Sequence, residues 1–151
     1  MITRVCEQGK KAGISEIIVA CSEGEVKQEV EKNGFKAIMT DPDLPSGTDR
    51  IYAAMQQLEN LAKVDFIVNL QGDLPDIDPT IISKTIEVLT ENLDADIATA
   101  VIGIEEEGLE KDPNIVKAVV NFTQNQNSAR CYYFSRSMVP YNAEKFYEHI
   151  G

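Results

Sequence analysis

A chain of 151 residues, 43% hydrophobic and 26% charged, is long enough for one domain with a sizeable core and too short for two ordinary ones. A formal charge of −11 at pH 7 argues against nucleic acid as a partner, since that binding rests on clustered Lys and Arg facing phosphates. No apolar run approaches membrane-spanning length, so no membrane partner is expected either. The amino end is amphipathic, with Arg4, Glu7, Lys10 and Lys11, and does not read as a secretory signal. Cys6, Cys21 and Cys131 are an odd, scattered set without a Cys-x-x-Cys pair, which argues against a disulfide frame or zinc site. A reducing compartment, the cytoplasm, is the expected location.

In chain order, residues 1–12 place Ile2, Val5 and Cys6 at helical spacing, with Gly13 as a stop. Residues 16–21 read as a buried strand, 23–33 as a charged helix with a Val26/Val30 stripe closed by Asn33-Gly34, and 35–39 as a second strand. A loop dense in turn formers leads to a helix over 49–61. The run Asp65-Phe66-Ile67-Val68-Asn69-Leu70 predicts another buried strand, stopped by Gly72 and Pro75. A helix follows over 79–92, with Asp78 as N-cap and Pro79 at its first position. A strand over 96–102 completes the alternation expected of a mostly parallel sheet with helices on both faces. Beyond it, runs at 115–122 and 129–134 joined by residues 123–127 predict an antiparallel hairpin, and 142–150 the start of a helix. The chain opens on a helix where such sheets open on a strand, and it ends on an unpacked helix; it reads as the middle of a domain.

Three stretches carry candidate chemistry. Asp73 sits after an expected strand, where parallel sheets put their ligands, and suits a hard divalent cation escorting phosphates. Ser46-Gly47-Thr48-Asp49-Arg50 lies between a strand and a helix; its hydroxyls and N–H groups suit a polar ligand, and equally suit capping of that helix. Arg136 emerges just past an apolar run, where its planar fork can grip a carboxylate. Lys117 is expected on a strand, pointing to solvent. With His149 as the single histidine, near the chain end, a His-based nucleophilic triad is not expected. No residue is assigned as catalytic.

The motifs Ser46-Gly47-Thr48-Asp49-Arg50, Val68-Asn69-Leu70-Gln71-Gly72-Asp73-Leu74-Pro75, Asp112-Pro113-Asn114-Ile115-Val116-Lys117 and Tyr133-Phe134-Ser135-Arg136-Ser137-Met138-Val139-Pro140 occur in one order with sensible spacing. In that register the chain resembles the 3-deoxy-manno-octulosonate (Kdo) cytidylyltransferases, or CMP-Kdo synthetases, along nearly its whole length. The resemblance implies a Rossmann-like nucleotidyltransferase fold with an antiparallel excursion near residues 112–140, incomplete at both ends. It implies transfer of CMP from CTP to Kdo with release of pyrophosphate, for lipopolysaccharide assembly. It assigns nucleotide binding to Ser46, Gly47, Thr48 and Arg50, sugar-acid contacts to Gln71 and Arg136, Mg2+ to Asp73, and homodimer formation to residues 112–140. Relatives begin with a strand and a basic triphosphate loop and end with a further portion that this chain lacks, so the chain by itself is expected to be inactive. Relatives also usually have His at position 44 and Glu at position 74; Leu44 bears on the nucleotide contacts and Leu74 on the polarity of the metal site. Rival readings are another sugar or sugar-acid cytidylyltransferase, or a non-catalytic dimeric α/β module. A dinucleotide-dependent oxidoreductase is disfavoured, because no Gly-x-Gly-x-x-Gly follows any strand.

Overall fold

The computed structural model describes residues 1–123 and 126–150 and falls into two compact units, Met1–Lys84 and Thr85–Gly151, divided inside one helix. The first unit runs α1 (Ile2–Lys11), β1 (Ile18–Cys21), α2 (Gly24–Lys32), β2 (Lys36–Met39) and α3 (Gly47–Met55). Alternation along β1 buries Val19 and Cys21; four-residue spacing along α2 puts Val26 and Val30 on one face. Cys6 from α1 joins Val19, Cys21 and Val30 as the core, with Ile2, Ile17, Val26, Phe35 and Ala37 packed against it. Gly34, at φ 80°, closes α2: the Phe35 N–H reaches back 3.2 Å to the Val30 carbonyl and turns the chain directly into β2. With α2 as the crossover, β2 lies parallel to β1, Ile18 opposite Lys36 through Cys21 opposite Met39.

Residues 65–70 do not form the buried strand that their composition predicts. Phe66, Ile67 and Val68 are 41%, 47% and 37% exposed, and among the described residues none of 65–70 makes a backbone–backbone hydrogen bond. β-Branched and aromatic residues fit a pleated, half-buried surface, but the ladder that defines a strand comes from its neighbour. Among the described residues β1 pairs with β2 on one edge and with no strand on the other, so the parallel pairing there is confined to two strands.

The helix that spans the division, α4 (Pro79–Glu91), starts as predicted: the Asp78 carboxylate accepts the Thr80 N–H at 2.9 Å, which holds its carboxyl below the usual carboxylate range. The second unit then builds a four-stranded antiparallel sheet in the order β3 (Ala100–Gly103), β6 (Tyr147–Ile150), β4 (Lys117–Val120), β5 (Cys131–Ser135). The β4–β5 hairpin is the one expected; of its predicted loop, residues 124 and 125 lie outside the described residues.

The helix predicted over 142–150 is a strand instead. So short a segment has little helical stability of its own. Between β3 and β4 its backbone finds partners on both sides: Ala100 to Gly103 pair with Ile150 to Tyr147, and the His149 N–H bonds the Val116 carbonyl at 2.9 Å. His149 is thereby half-buried, its ring edge-on to Phe134 at 5.0 Å and its Nε2 2.8 Å from the Thr99 hydroxyl. Burial lowers its pKa below the ordinary 6.5. The folded state thus favours the neutral ring; the associated stability is present above about pH 6.5 and lost as the pH falls through the lowered value. Thermal melts between pH 7.5 and 5 are expected to show a falling melting temperature below about pH 6.5, and His149→Asn to remove that slope. An unchanged slope in the variant would assign it elsewhere.

Candidate functional site

The carboxyl ends of the two parallel strands are tied together by Thr40. Its N–H and its hydroxyl both donate to the Cys21 carbonyl, at 2.8 and 3.2 Å, and the hydroxyl accepts from Arg50 Nη1 at 2.8 Å. Arg50 Nη2 also reaches the Pro42 carbonyl at 3.4 Å. The guanidinium is thus pinned beside the strand ends, and it lines an open cleft of about 500 Å3 together with Ile2, Cys21, Ser22, Glu23 and Gly72. This is where open α/β sheets place their ligands. Glu23 carries the opposite charge: the Ser22 hydroxyl and N–H donate to its two carboxylate oxygens at 2.8 and 3.3 Å and hold its pKa below the usual range. Burial pushes the Cys21 thiol up, so it enters the cleft wall as a protonated group and not as a nucleophile.

Ser46 is the N-cap of α3. Its Oγ accepts the Asp49 N–H at 3.1 Å and is itself hydrogen-bonded to the Asp49 carboxylate. The capping reading of this motif therefore holds, while Gly47 and Thr48 lie exposed in the first turn. Ser46→Ala is expected to cost about 1 kcal/mol of stability, from the lost cap, and urea melts measure it; no change would mean that the bond to Asp49 N–H contributes nothing.

The stretch after residue 70 turns tightly, with the Leu74 N–H on the Gln71 carbonyl at 3.3 Å. Gln8 in α1 ties the loop down by donating to the Pro75 carbonyl at 3.3 Å, and a side chain at Gly72 would meet Ile2 Cδ1 at 3.4 Å. Gln71 is half-buried, and Asp73 presents an exposed carboxylate. Among the described residues no three His, Cys, Asp or Glu side chains converge on a point that would hold a metal ion. One exposed carboxylate fits a magnesium ion that keeps its waters and arrives with phosphates, and does not fit an all-protein cation cage.

Of the residues singled out from sequence, the first unit brings Arg50 and Gly72 to one cleft; Gln71 and Asp73, next to Gly72 in the chain, and Ser46, Gly47 and Thr48 are not among its lining. Arg136 belongs to the second unit, at the end of β5, where its Nη1 donates to the Pro113 carbonyl at 2.9 Å. Lys117 is not on the solvent face: it is 0% exposed, and its ammonium donates to three backbone carbonyls. Ser22 and Glu23 were not singled out; their signal was their place, directly after β1 and before α2.

These elements define a nucleotide-binding type of α/β architecture: a parallel βαβ unit with a cleft at its strand ends that holds Arg50 and Glu23 among mostly apolar residues, followed by an antiparallel sheet. The chain belongs to the cytidylyltransferase family, whose model matches residues 1–150. It is 46% identical over its full length to a 3-deoxy-manno-octulosonate cytidylyltransferase of Paramagnetospirillum magneticum and 39% identical to one of Rhodospirillum rubrum, covering 61% and 60% of those proteins. Among solved structures, a CMP:2-keto-3-deoxy-manno-octonic acid synthetase complexed with CTP superposes with a TM-score of 0.83 at 34% identity, over 99% of this chain and 60% of that one. The resemblance read from the four motifs and the Rossmann-like nucleotidyltransferase fold are both borne out. The chain spans about three fifths of the length of these relatives.

Proposed function

We propose that this chain carries part of an enzyme that transfers CMP from CTP to Kdo, releasing pyrophosphate, in the cytoplasmic supply of lipopolysaccharide precursors. The observation that carries the reading is the match of the whole chain to proteins of that name and to a CTP-complexed synthetase. In this reading residues 1–151 form part of a single nucleotidyltransferase domain. Its first unit holds the nucleotide: Arg50, fixed by Thr40 and Pro42, offers charge to the triphosphate, and the exposed first turn of α3, Ser46 to Thr48, offers N–H groups and a hydroxyl. Asp73 is the residue that would hold Mg2+, which when bound neutralises phosphate charge. The four-motif resemblance gives each unit a sugar-acid residue of its own: Gln71 in the first, and in the second Arg136, whose planar fork suits a carboxylate. The anomeric hydroxyl oxygen attacks the α-phosphorus in line. The bond to the bridging oxygen breaks, pyrophosphate departs, and the hydroxyl proton passes to solvent. Such a step needs positioning and charge neutralisation more than a covalent intermediate. The exposed aromatics of β5, Tyr132, Tyr133 and Phe134, support a homodimer through residues 112–140.

The test is a chimaera in which residues 1–151 replace the matching segment of the P. magneticum relative. Pyrophosphate release that requires CTP, Mg2+ and Kdo together is expected. Release with a different sugar acceptor and not with Kdo, or none in a folded chimaera, would overturn the assignment.

A further inference from the structure

The second unit contains a buried cation that the proposed chemistry does not use. Lys117, the first residue of β4, is 0% exposed in a chain whose formal charge is −11. A lysine ammonium has three protons to place, and burial is costly unless all of them are bonded. All three are: Nζ donates to the carbonyls of Asp112, Ile115 and Arg136 at 2.7, 2.6 and 2.7 Å. None of these three partners is a carboxylate, and among the described residues Lys117 makes no ion pair, so its ammonium is held by backbone dipoles.

The placement follows from register. Lys117 pairs across the hairpin with Ser135, so its side chain starts one residue from Arg136. On the other side, the chain preceding β4 is bent by Asp112, whose Oδ1 accepts the Asn114 N–H at 2.8 Å and whose carbonyl accepts the Ile115 N–H at 3.2 Å. Arg136 closes a ring of bonds: Nη1 donates to the Pro113 carbonyl at 2.9 Å, next to the Asp112 carbonyl that Lys117 holds. The arginine's main chain is therefore bonded to the buried ammonium directly, and its guanidinium is tied to the residue next to Asp112, which the ammonium also holds. A methionine of similar length would fill the same space but leave three carbonyls without a donor.

We propose that Lys117 is the positioning residue for Arg136: it fixes the arginine's main chain and the Asp112 carbonyl that adjoins Pro113, so that the exposed guanidinium is presented in one orientation to a carboxylate ligand. The inference rests on the reading of Arg136 as the sugar-acid contact. One proton of the guanidinium is spent on Pro113, and the remaining N–H donors of its fork serve the ligand.

The test uses the 151-residue chain, labelled with 15N, and Kdo and CTP as probes. In the unmodified chain the Lys117 ammonium protons are expected to exchange with water far more slowly than those of the exposed lysines, and the Arg136 side chain to be as ordered as its backbone. An ammonium that exchanges like a surface lysine, or a freely rotating Arg136, overturns the proposal without any variant. In Lys117→Met, with the β4–β5 amide signals retained, the Arg136 side chain is expected to lose its order. Affinity for Kdo then falls about tenfold while affinity for CTP is unchanged. A lower melting temperature with Arg136 order and Kdo affinity intact would make Lys117 a purely structural residue. If the unmodified chain binds no Kdo, the sugar-acid reading of Arg136 loses support, while the order measurements still decide whether Lys117 positions it. If Lys117→Met does not fold, the exchange and order measurements on the unmodified chain decide alone.

Discussion

Replacing Asp73 by Asn in the chimaera is expected to lower kcat/KM for pyrophosphate release by about 10²-fold, with the melting temperature unchanged. The two halves of that expectation have separate causes. Asp73 is exposed at the tip of a turn closed by other atoms, the Leu74 N–H on the Gln71 carbonyl, so the fold does not depend on its carboxylate. An amide keeps the shape and removes the charge, and charge is what a magnesium ion escorting phosphates requires. The apparent affinity for Mg2+ weakens in parallel, which separates loss of the ion from loss of nucleotide. A variant with the unmodified rate and Mg2+ dependence would remove Asp73 from the site. A variant with a lowered melting temperature would instead place the carboxylate in the fold.

Arg136→Lys is expected to raise the KM for Kdo about tenfold or more while leaving the KM for CTP unchanged. Lysine retains the charge but offers a compact ammonium in place of a planar fork, so bidentate contact with a carboxylate is lost. It also loses the Nη1 bond to the Pro113 carbonyl. Steady-state kinetics with each substrate varied in turn read the two KM values. Equal effects on both would show that the arginine serves the protein's overall stability or the nucleotide, and not the sugar acid.

Much of the first unit was legible in the sequence because its signals are local. The Val26/Val30 spacing, the Gly34 stop and the Asp78-Pro79 start each act within one or two helical turns, and each element appears where those residues put it. The motif at Ser46 was legible in both of its readings, and the structure shows the cap directly. The second unit was legible as far as its hairpin. Its last strand was not, because nine residues with Tyr147, Glu148, His149 and Ile150 at the end fit a helix or a strand equally well in isolation.

The candidate site divides in the same way. Asp73, Arg50 and Arg136 could be picked out because Gly, Pro and charged residues cluster where a strand or helix stops. Glu23 could not, since a glutamate before a charged helix looks like any N-terminal acid until Arg50 is found lining the same cleft. Lys117 could not either, because an amphipathic hairpin gives no local reason for a lysine to point inward.

From its sequence alone this protein has its helices, its first two strands, its hairpin and its family, all carried by residue spacing and by motifs in a single register. Only the tertiary structure decided that residues 65–70 join no ladder among the described residues, that residues 147–150 join a sheet, and that Lys117 is buried with its ammonium on the Arg136 carbonyl. Those three outcomes depend on backbone partners distant in the chain, and a hydrogen-bond ladder or a cradle of carbonyls has no signature in the residues that will occupy it.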